Sequence, residues 1–329
     1  MKMTRGLAAV VAVALVVGLV FGGAGCAKKA TPSKIRMADQ FGLGYAPVTI
    51  MLEKKLIEKR LPGVTIERLQ FGSGGAVREA MVAGQLDVGF VGIPPFLIGW
   101  DKGVDWKIAG ALDQMTLLMM APKDKITSLK DFKAKDKIAL PGPGSNQHII
   151  LAMAAEKQFN KATYFDNNIV AMPHPAATAA LMAGKGDISA YFGAPPYQNK
   201  LQKQANLGVV LDAFDAFGGP FSYIVAVASG PFYKDNPKAY KAFVGALEEA
   251  LTLMRENPKE CAGILAAVDK KTTADEYLAY LTAPRTAWDI TPRGVIHYAE
   301  AMQRYGYIKK VPANWQEVCF PNLQKLKGD

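Results

Sequence analysis

An α/β protein of two lobes, each a mainly parallel sheet flanked by helices, is predicted by three observations. From residue 34 onward, short apolar runs alternate with stretches of helical period, the pattern of β-α-β units. The alternation starts afresh after Ser128. A pair of segments also recurs at an offset of 100 residues, becoming 101 after one insertion. Ala83-Gly84-Gln85-Leu86-Asp87-Val88 and then Gly92-Ile93-Pro94-Pro95-Phe96 are matched by Ala183-Gly184-Lys185-Gly186-Asp187-Ile188 and then Gly193-Ala194-Pro195-Pro196-Tyr197. In each copy the first glycine suits a helix end that needs positive φ, the aspartate enters a strand, and the two prolines open the next helix.

The first half reads as strands at 35–39, 64–71, 86–91, 107–112 and 115–121, with helices at 46–59, at 76–83 and from Pro94. The second reads as strands at 137–140, 168–172, 187–192, 209–211 and 223–228, with helices at 146–158, at 175–183 and from Pro195. Beyond Ser229 the pattern is helical only. A long helix from Pro237 places Tyr240, Phe243, Val244, Leu247, Leu251 and Met254 on one face. Further helices are expected at 258–268, 274–281, 292–305 and 314–326.

The N-terminus is a different object. Lys2 and Arg5 precede an apolar run from Leu7 to Phe21, which leads to Gly22-Gly23-Ala24-Gly25-Cys26. A basic start, a short apolar run and a small-residue exit describe an export signal; a membrane span needs roughly 20 residues. The alternative is a single N-terminal anchor helix. Residues 27–34 are polar and basic and read as a tether. The formal charge of +10 is scattered, without a nucleic-acid module, so nucleic acid is excluded as a partner. The charge suits a surface near anionic lipid headgroups and helps draw in anionic ligands. In an oxidising compartment Cys261 and Cys319 form a disulfide or remain two buried thiols.

Catalytic machinery is sparse. The three histidines, His148, His174 and His297, have no metal spacing, and neither a nucleophile elbow nor a Walker loop occurs. No metal and no cofactor is expected. Asp87 and Asp187 resemble an acid/base pair, but their matched places in the repeat assign them to a structural turn.

Open parallel sheets bind ligands at the carboxyl ends of their strands. The loops there nominate Gln40, Phe41 and Tyr45 after the first strand, and Ser73, Gly74 and Gly75 after the second. They also nominate Ile93 and Pro94 after the third, Ser145, Asn146 and Gln147 in the second half, and Gly193, Ala194 and Pro195 in the repeat copy. Phe221 is added as an aromatic near the strand ends, with Tyr191, Phe192 and Tyr223 beside it. Helix N-termini there favour anions, glycines admit close approach, and Ser and Asn supply hydrogen bonds. Each loop taken alone is equally well an ordinary helix cap. The loops hold no lysine and the nearest arginine is Arg78, so an anionic head would rest on helix N-termini and hydroxyls.

These segments together resemble the periplasmic solute-binding proteins of ABC importers, of the type serving nitrate, sulfonate, taurine and thiamine-precursor uptake. The resemblance is carried by the Ala-Gly-x-x-Asp pair at 83–87 and 183–187, and by Ser128-Leu129-Lys130-Asp131-Phe132 before Lys137-Ile138-Ala139-Leu140. Ala228-Ser229-Gly230-Pro231-Phe232, Asn236-Pro237 and Asn257-Pro258 extend it. Ala24-Gly25-Cys26 likewise resembles a lipoprotein lipobox, with Gly23 where that family favours leucine.

What the resemblance implies is a type II-like periplasmic-binding-protein fold with two crossovers and ligand in the interlobe cleft. Residues 1–25 would be a cleaved signal and 26–33 the lipidated Cys26 with its tether. Residues 34–121 plus 224–329 would form lobe one and 122–223 lobe two, with hinge strands at 115–121 and 221–227. The implied protein is a monomer in the periplasm or at the cell surface, touching the membrane only through its lipid. It would pass a small anionic solute, sulfonate- or carboxylate-like, to an ABC permease. The rivals are an enzyme of the same fold, from thiamine-pyrimidine or menaquinone synthesis, and a ligand-sensing lipoprotein.

Overall fold

The structure, a computed structural model, describes residues 34–184 and 187–329. The signal, Cys26 and the tether lie outside them. The order of elements is β1 (Lys34–Asp39), α1 (Ala46–Glu53), α2 (Leu56–Arg60), β2 (Thr65–Gln70), α3 (Gly74–Val82), β3 (Val88–Val91), α4 (Ile93–Asp101) and β4 (Trp106–Ala111). Then come β5 (Gln114–Met115), β6 (Leu118–Pro122), β7 (Lys137–Leu140), α5 (Asn146–Phe159), β8 (Ile169–Ala171), α6 (His174–Ala183), β9 (Ile188–Phe192), α7 (Tyr197–Gln202), β10 (Leu207–Asp212) and α8 (Ala213–Phe217). The chain ends with β11 (Val225–Ser229), α9 (Gly230–Asp235), α10 (Pro237–Glu256), α11 (Pro258–Asp269), α12 (Ala274–Leu281), β12 (Thr286–Ala287) and α13 (Val295–Arg304).

Two five-stranded sheets have the same plan. The first runs β2-β1-β3-β11-β4, with β1, β2 and β3 parallel and β11 antiparallel to both neighbours. The second runs β8-β7-β9-β6-β10, again three parallel strands followed by an antiparallel one. The antiparallel strands are exchanged: β6 leaves the first half to join the second sheet, and β11 returns from the second half to the first. Two crossovers therefore tie the halves together, and the β5–β12 ribbon lies beside them. Because the β-α-β units run the same way in both, the loops after β1, β2 and β3 meet those after β7, β8 and β9.

The repeat has a structural cause. Gly84 and Gly184 hold φ of +67° and +59° at the ends of α3 and α6, where other residues would be strained. The Asp87 carboxylate accepts the Arg36 main-chain N–H at 2.8 Å and the guanidinium at 2.7 Å, locking the start of β3 to β1. It is a structural aspartate. Next to it, a Cβ on Gly89 would lie 2.9 Å from Val77, so a small residue lets α3 pack onto the sheet. The apolar face expected for α10 is buried throughout, with Phe243 edge-on to Phe90.

Several expectations are corrected. The helix expected at 46–59 breaks in two, because Lys55 adopts a left-handed φ of 51°. The strand expected at 115–121 divides into β5 and β6, and the strand at 223–228 begins only at Val225. The peptide Pro195–Pro196 is cis and α7 starts at Tyr197, so the second proline pair does not open a helix as Pro94-Pro95 does. The helix expected at 314–326 is replaced by two 3-10 turns, Trp315–Val318 and Pro321–Leu323. Between them Phe320 is extended and its N–H bonds to the carbonyl of Ile108 on edge strand β4, while Pro321 lacks the N–H a helix would need. No helix among the described residues is long and apolar enough to cross a membrane.

Cys261 and Cys319 are both free and buried, which settles the pairing in favour of two thiols. Burial pushes them up to about 11 and about 12, away from the reactive thiolate. Alkylation followed by peptide mass spectrometry should therefore label neither in the native protein and both in denaturant. Labelling under native conditions at the rate of an exposed thiol would contradict this burial.

Candidate functional site

Where the strand ends meet, the halves touch through main chain. Leu43 donates its N–H to the carbonyl of Pro195 at 2.7 Å. Within the second half, Asn146 donates through Nδ2 to the carbonyl of Tyr223 at 3.0 Å, which holds its amide against Gly92 of the first half. Glycines make this approach possible. A Cβ on Gly72 would lie 3.0 Å from Pro173, and one on Gly92 would lie 2.1 Å from Asn146 Nδ2.

The nominated residues divide between this seam and a cavity beside it. Gln40, Phe41 and Tyr45 line the cavity, and Gln40 is held by a 3.0 Å bond from Nε2 to the carbonyl of Phe90. Ser73 and Ser145 cap α3 and α5, accepting the N–H of Ala76 and of His148. Gly74 abuts Pro95, and Gly75 sits one residue further along α3. Ile93 and Pro94 are buried in the first turn of α4, whose N-cap Gly92 meets Asn146. Gln147 is buried with Nε2 3.5 Å from the Gly193 carbonyl; Ala194 is buried beside it, and Pro195 supplies the acceptor for Leu43. Phe221 lies elsewhere, packed against Phe214, Phe217 and Tyr298.

His174 was not nominated. It opens α6 at 5% exposure, with Nδ1 2.5 Å from the Tyr191 hydroxyl and Nε2 3.4 Å from that of Tyr223. Its ring stacks on Tyr197. Burial lowers its pKa to about 4 and raises those of Tyr45, Tyr191 and Tyr223, so all four stay neutral near pH 7. The repeat carried the clue: at the offset of 100, Met172-Pro173-His174 occupies the place of Gly72-Ser73-Gly74, and His174 opens α6 as Gly74 opens α3.

The cavity holds 750 Å³ and has three walls. Gln40, Phe41, Tyr45, Thr49, Arg68 and Gln70 come from the first half, and Pro175, Pro196, Tyr197 and Lys200 from the second. Leu265, Val268, Asp269, Lys271 and Tyr277 come from the α11–α12 hairpin. Cations do reach it, contrary to the expectation from the loops. Arg68 stands on edge strand β2, its guanidinium 2.5 Å from the fully buried Asp39 carboxylate. Lys200 comes from α7 and Lys271 from the turn between α11 and α12, elements that strand-end logic does not inspect. Among the described residues no group of His, Cys, Asp and Glu could hold a metal ion.

Two sheets with exchanged strands, facing loops and a cavity between them define the periplasmic-binding-protein fold. The family follows from the sequence: a model of the NMT1-like family matches residues 28–268, and the chain belongs to that family. Among its relatives, a protein of Escherichia coli (strain K12) named as a candidate aliphatic sulfonates-binding protein is 24% identical over 243 residues, 73% of each chain. The alkanesulfonate-binding protein SsuA from Xanthomonas axonopodis pv. citri, bound to MOPS, superposes with a TM-score of 0.70 at 19% identity. That match covers 85% of this chain and 96% of the other. The periplasmic nitrate-binding protein NrtA from Synechocystis PCC 6803 gives 0.68 at 17% identity, over 87% and 84%. These relatives are named as binding proteins rather than enzymes.

The buried His174 has a pH consequence. Its folded pKa lies below the unfolded value near 6.5, so between about pH 4 and 6.5 only the unfolded chain binds the proton, and stability falls as pH falls. The full effect is on the order of 3 kcal/mol. Urea midpoints of wild type and His174→Gln should therefore run parallel above pH 7, with the wild type losing more stability between pH 6.5 and 4. Parallel curves down to pH 4 would contradict a buried neutral imidazole.

Proposed function

We propose that this protein is the extracytoplasmic solute-binding lipoprotein of an ABC importer. It captures a small anionic organic solute, sulfonate- or carboxylate-like, and delivers it to a membrane permease. The observation that carries this reading is the cavity, which Arg68, Lys200 and Lys271 line together with Phe41, Tyr45, Tyr197 and Tyr277. Cations beside aromatic faces suit an acid group on an apolar or aromatic body. The names of the relatives support the solute class, and the N-terminal signal with Cys26 supports export and anchoring.

The lobes in this proposal are residues 34–121 with 224–329, and 122–223. They would open about the crossovers and close on ligand, because a ligand touching both halves favours the closed arrangement by its differential affinity. Globomycin-sensitive processing in the host would support lipidation at Cys26, and insensitivity would remove it.

Isothermal titration against organic sulfonates and carboxylates should give at least one ligand of micromolar or better affinity. Binding confined to cationic compounds would sink the proposal. With that ligand, Tyr197→Ala should lose about tenfold in affinity through lost ring contact. Gly92→Ala drives a Cβ into Asn146, whose amide is pinned to Tyr223, so it should wedge the seam open and weaken binding while far-UV circular dichroism stays unchanged. Wild-type affinity in Gly92→Ala would show that ligand capture does not need this seam closed.

A further inference from the structure

Helix α7 belongs to the second half and presents Tyr197, Lys200 and Lys203 at spacings of three, hence on one face. That face meets the α11–α12 hairpin. At one end Lys203 pairs with Glu276 of α12 at 2.5 Å. At the other, both Tyr197 and Tyr277 feel the Asp269 carboxylate at the end of α11. Each outer rung thus has an acid on the hairpin side. Between them both Lys200 and the hairpin's Lys271 line the cavity, and among the described residues neither has a carboxylate at ion-pair distance.

We propose that Lys200 and Lys271 form a two-lysine clamp that binds the acid group of the ligand across the two halves. The assignment rests on the anion-binding reading and deepens it. It places the acid at the hairpin rather than on the helix N-termini of the strand-end loops, with the apolar body among Phe41, Tyr45 and Tyr197. Two ammonium groups drawn together without an anion repel, and the repulsion opposes closure; an anion between them turns it into two charge-assisted hydrogen bonds. The bound acid is then the bolt that holds the halves together. Lys271 and Tyr277 lie beyond residue 268, where the match to the family model ends.

The test uses Lys200→Met, Lys271→Met and the double variant, with benzenesulfonate, butanesulfonate and benzoate as probes and benzenesulfonamide as the neutral counterpart. Each single variant should lose about tenfold in affinity for the best anionic probe, and the double variant at least as much again. Affinity for the neutral sulfonamide should not change. By small-angle scattering, the anion should reduce the wild-type radius of gyration, whereas the double variant should be equally compact without it. Wild-type anion affinity in the double variant, or an unchanged ligand-free radius, overturns the clamp while leaving anion binding intact. Failure of every anionic probe on the wild type would instead overturn the anion reading on which the clamp rests.

Discussion

The structure depends most on the bonds made by Asp113, where the two crossovers lie side by side. Its carbonyl accepts the N–H of Tyr223 and its Oδ1 accepts the N–H of Ile224 at 3.1 Å, so one residue of the outgoing strand fixes two of the returning one. The side chain is 0% exposed, and burial pushes its pKa well up. Gly44 crowds it: a Cβ there would stand 2.6 Å from Oδ2. A buried carboxyl is costly unless its hydrogen bonds are met; here Oδ1 has its main-chain partner while buried Oδ2 has none, so the bond to the returning crossover offsets only part of the cost. With the crossovers fixed, the exchange of β6 and β11 between the sheets is fixed as well. The strand-end loops of the two halves then face each other.

The glycines in those loops illustrate how one residue type serves two ends. Read along the chain, Gly72 and Gly92 allow main chain to approach a ligand. In space they allow it to approach the other half, with Pro173 and Asn146 where a side chain would otherwise stand. The two uses share one requirement, a surface without protrusion. They differ only in what fills the gap, and the proposed closure on a ligand would need both.

The parallel cores were legible because apolar runs and the repeat are local patterns, and Gly84, Gly184 and the buried face of α10 obey local rules. The break at Lys55 was hidden because lysine carries no turn signal. The 3-10 turns after Asn314 were hidden because their stability comes from β4, a partner some 210 residues away in sequence. The site was half legible. Gln40, Phe41 and Tyr45 follow from strand-end logic, and His174 was available by aligning the two copies. Lys200, Lys271 and Tyr277 were not, since they lie on α7, in the α11–α12 turn and on α12, whose approach to the cavity is decided by how the helices pack.

The placement of charge separates the tasks of seam and cavity. At the seam and the crossovers burial favours the neutral form: His174 is shifted down, and Tyr191, Tyr223 and Asp113 up. A contact surface that excludes water penalises charge, so what remains there is shape and neutral hydrogen bonding. The cavity keeps its charged side chains, because Arg68, Lys200, Asp269 and Lys271 retain access to solvent. In the proposed function, recognition of an acid group belongs on the cavity side, where a cation can be held ready without the cost of burial. Closure of the seam would then strengthen that recognition by removing water from around the pair once it has formed.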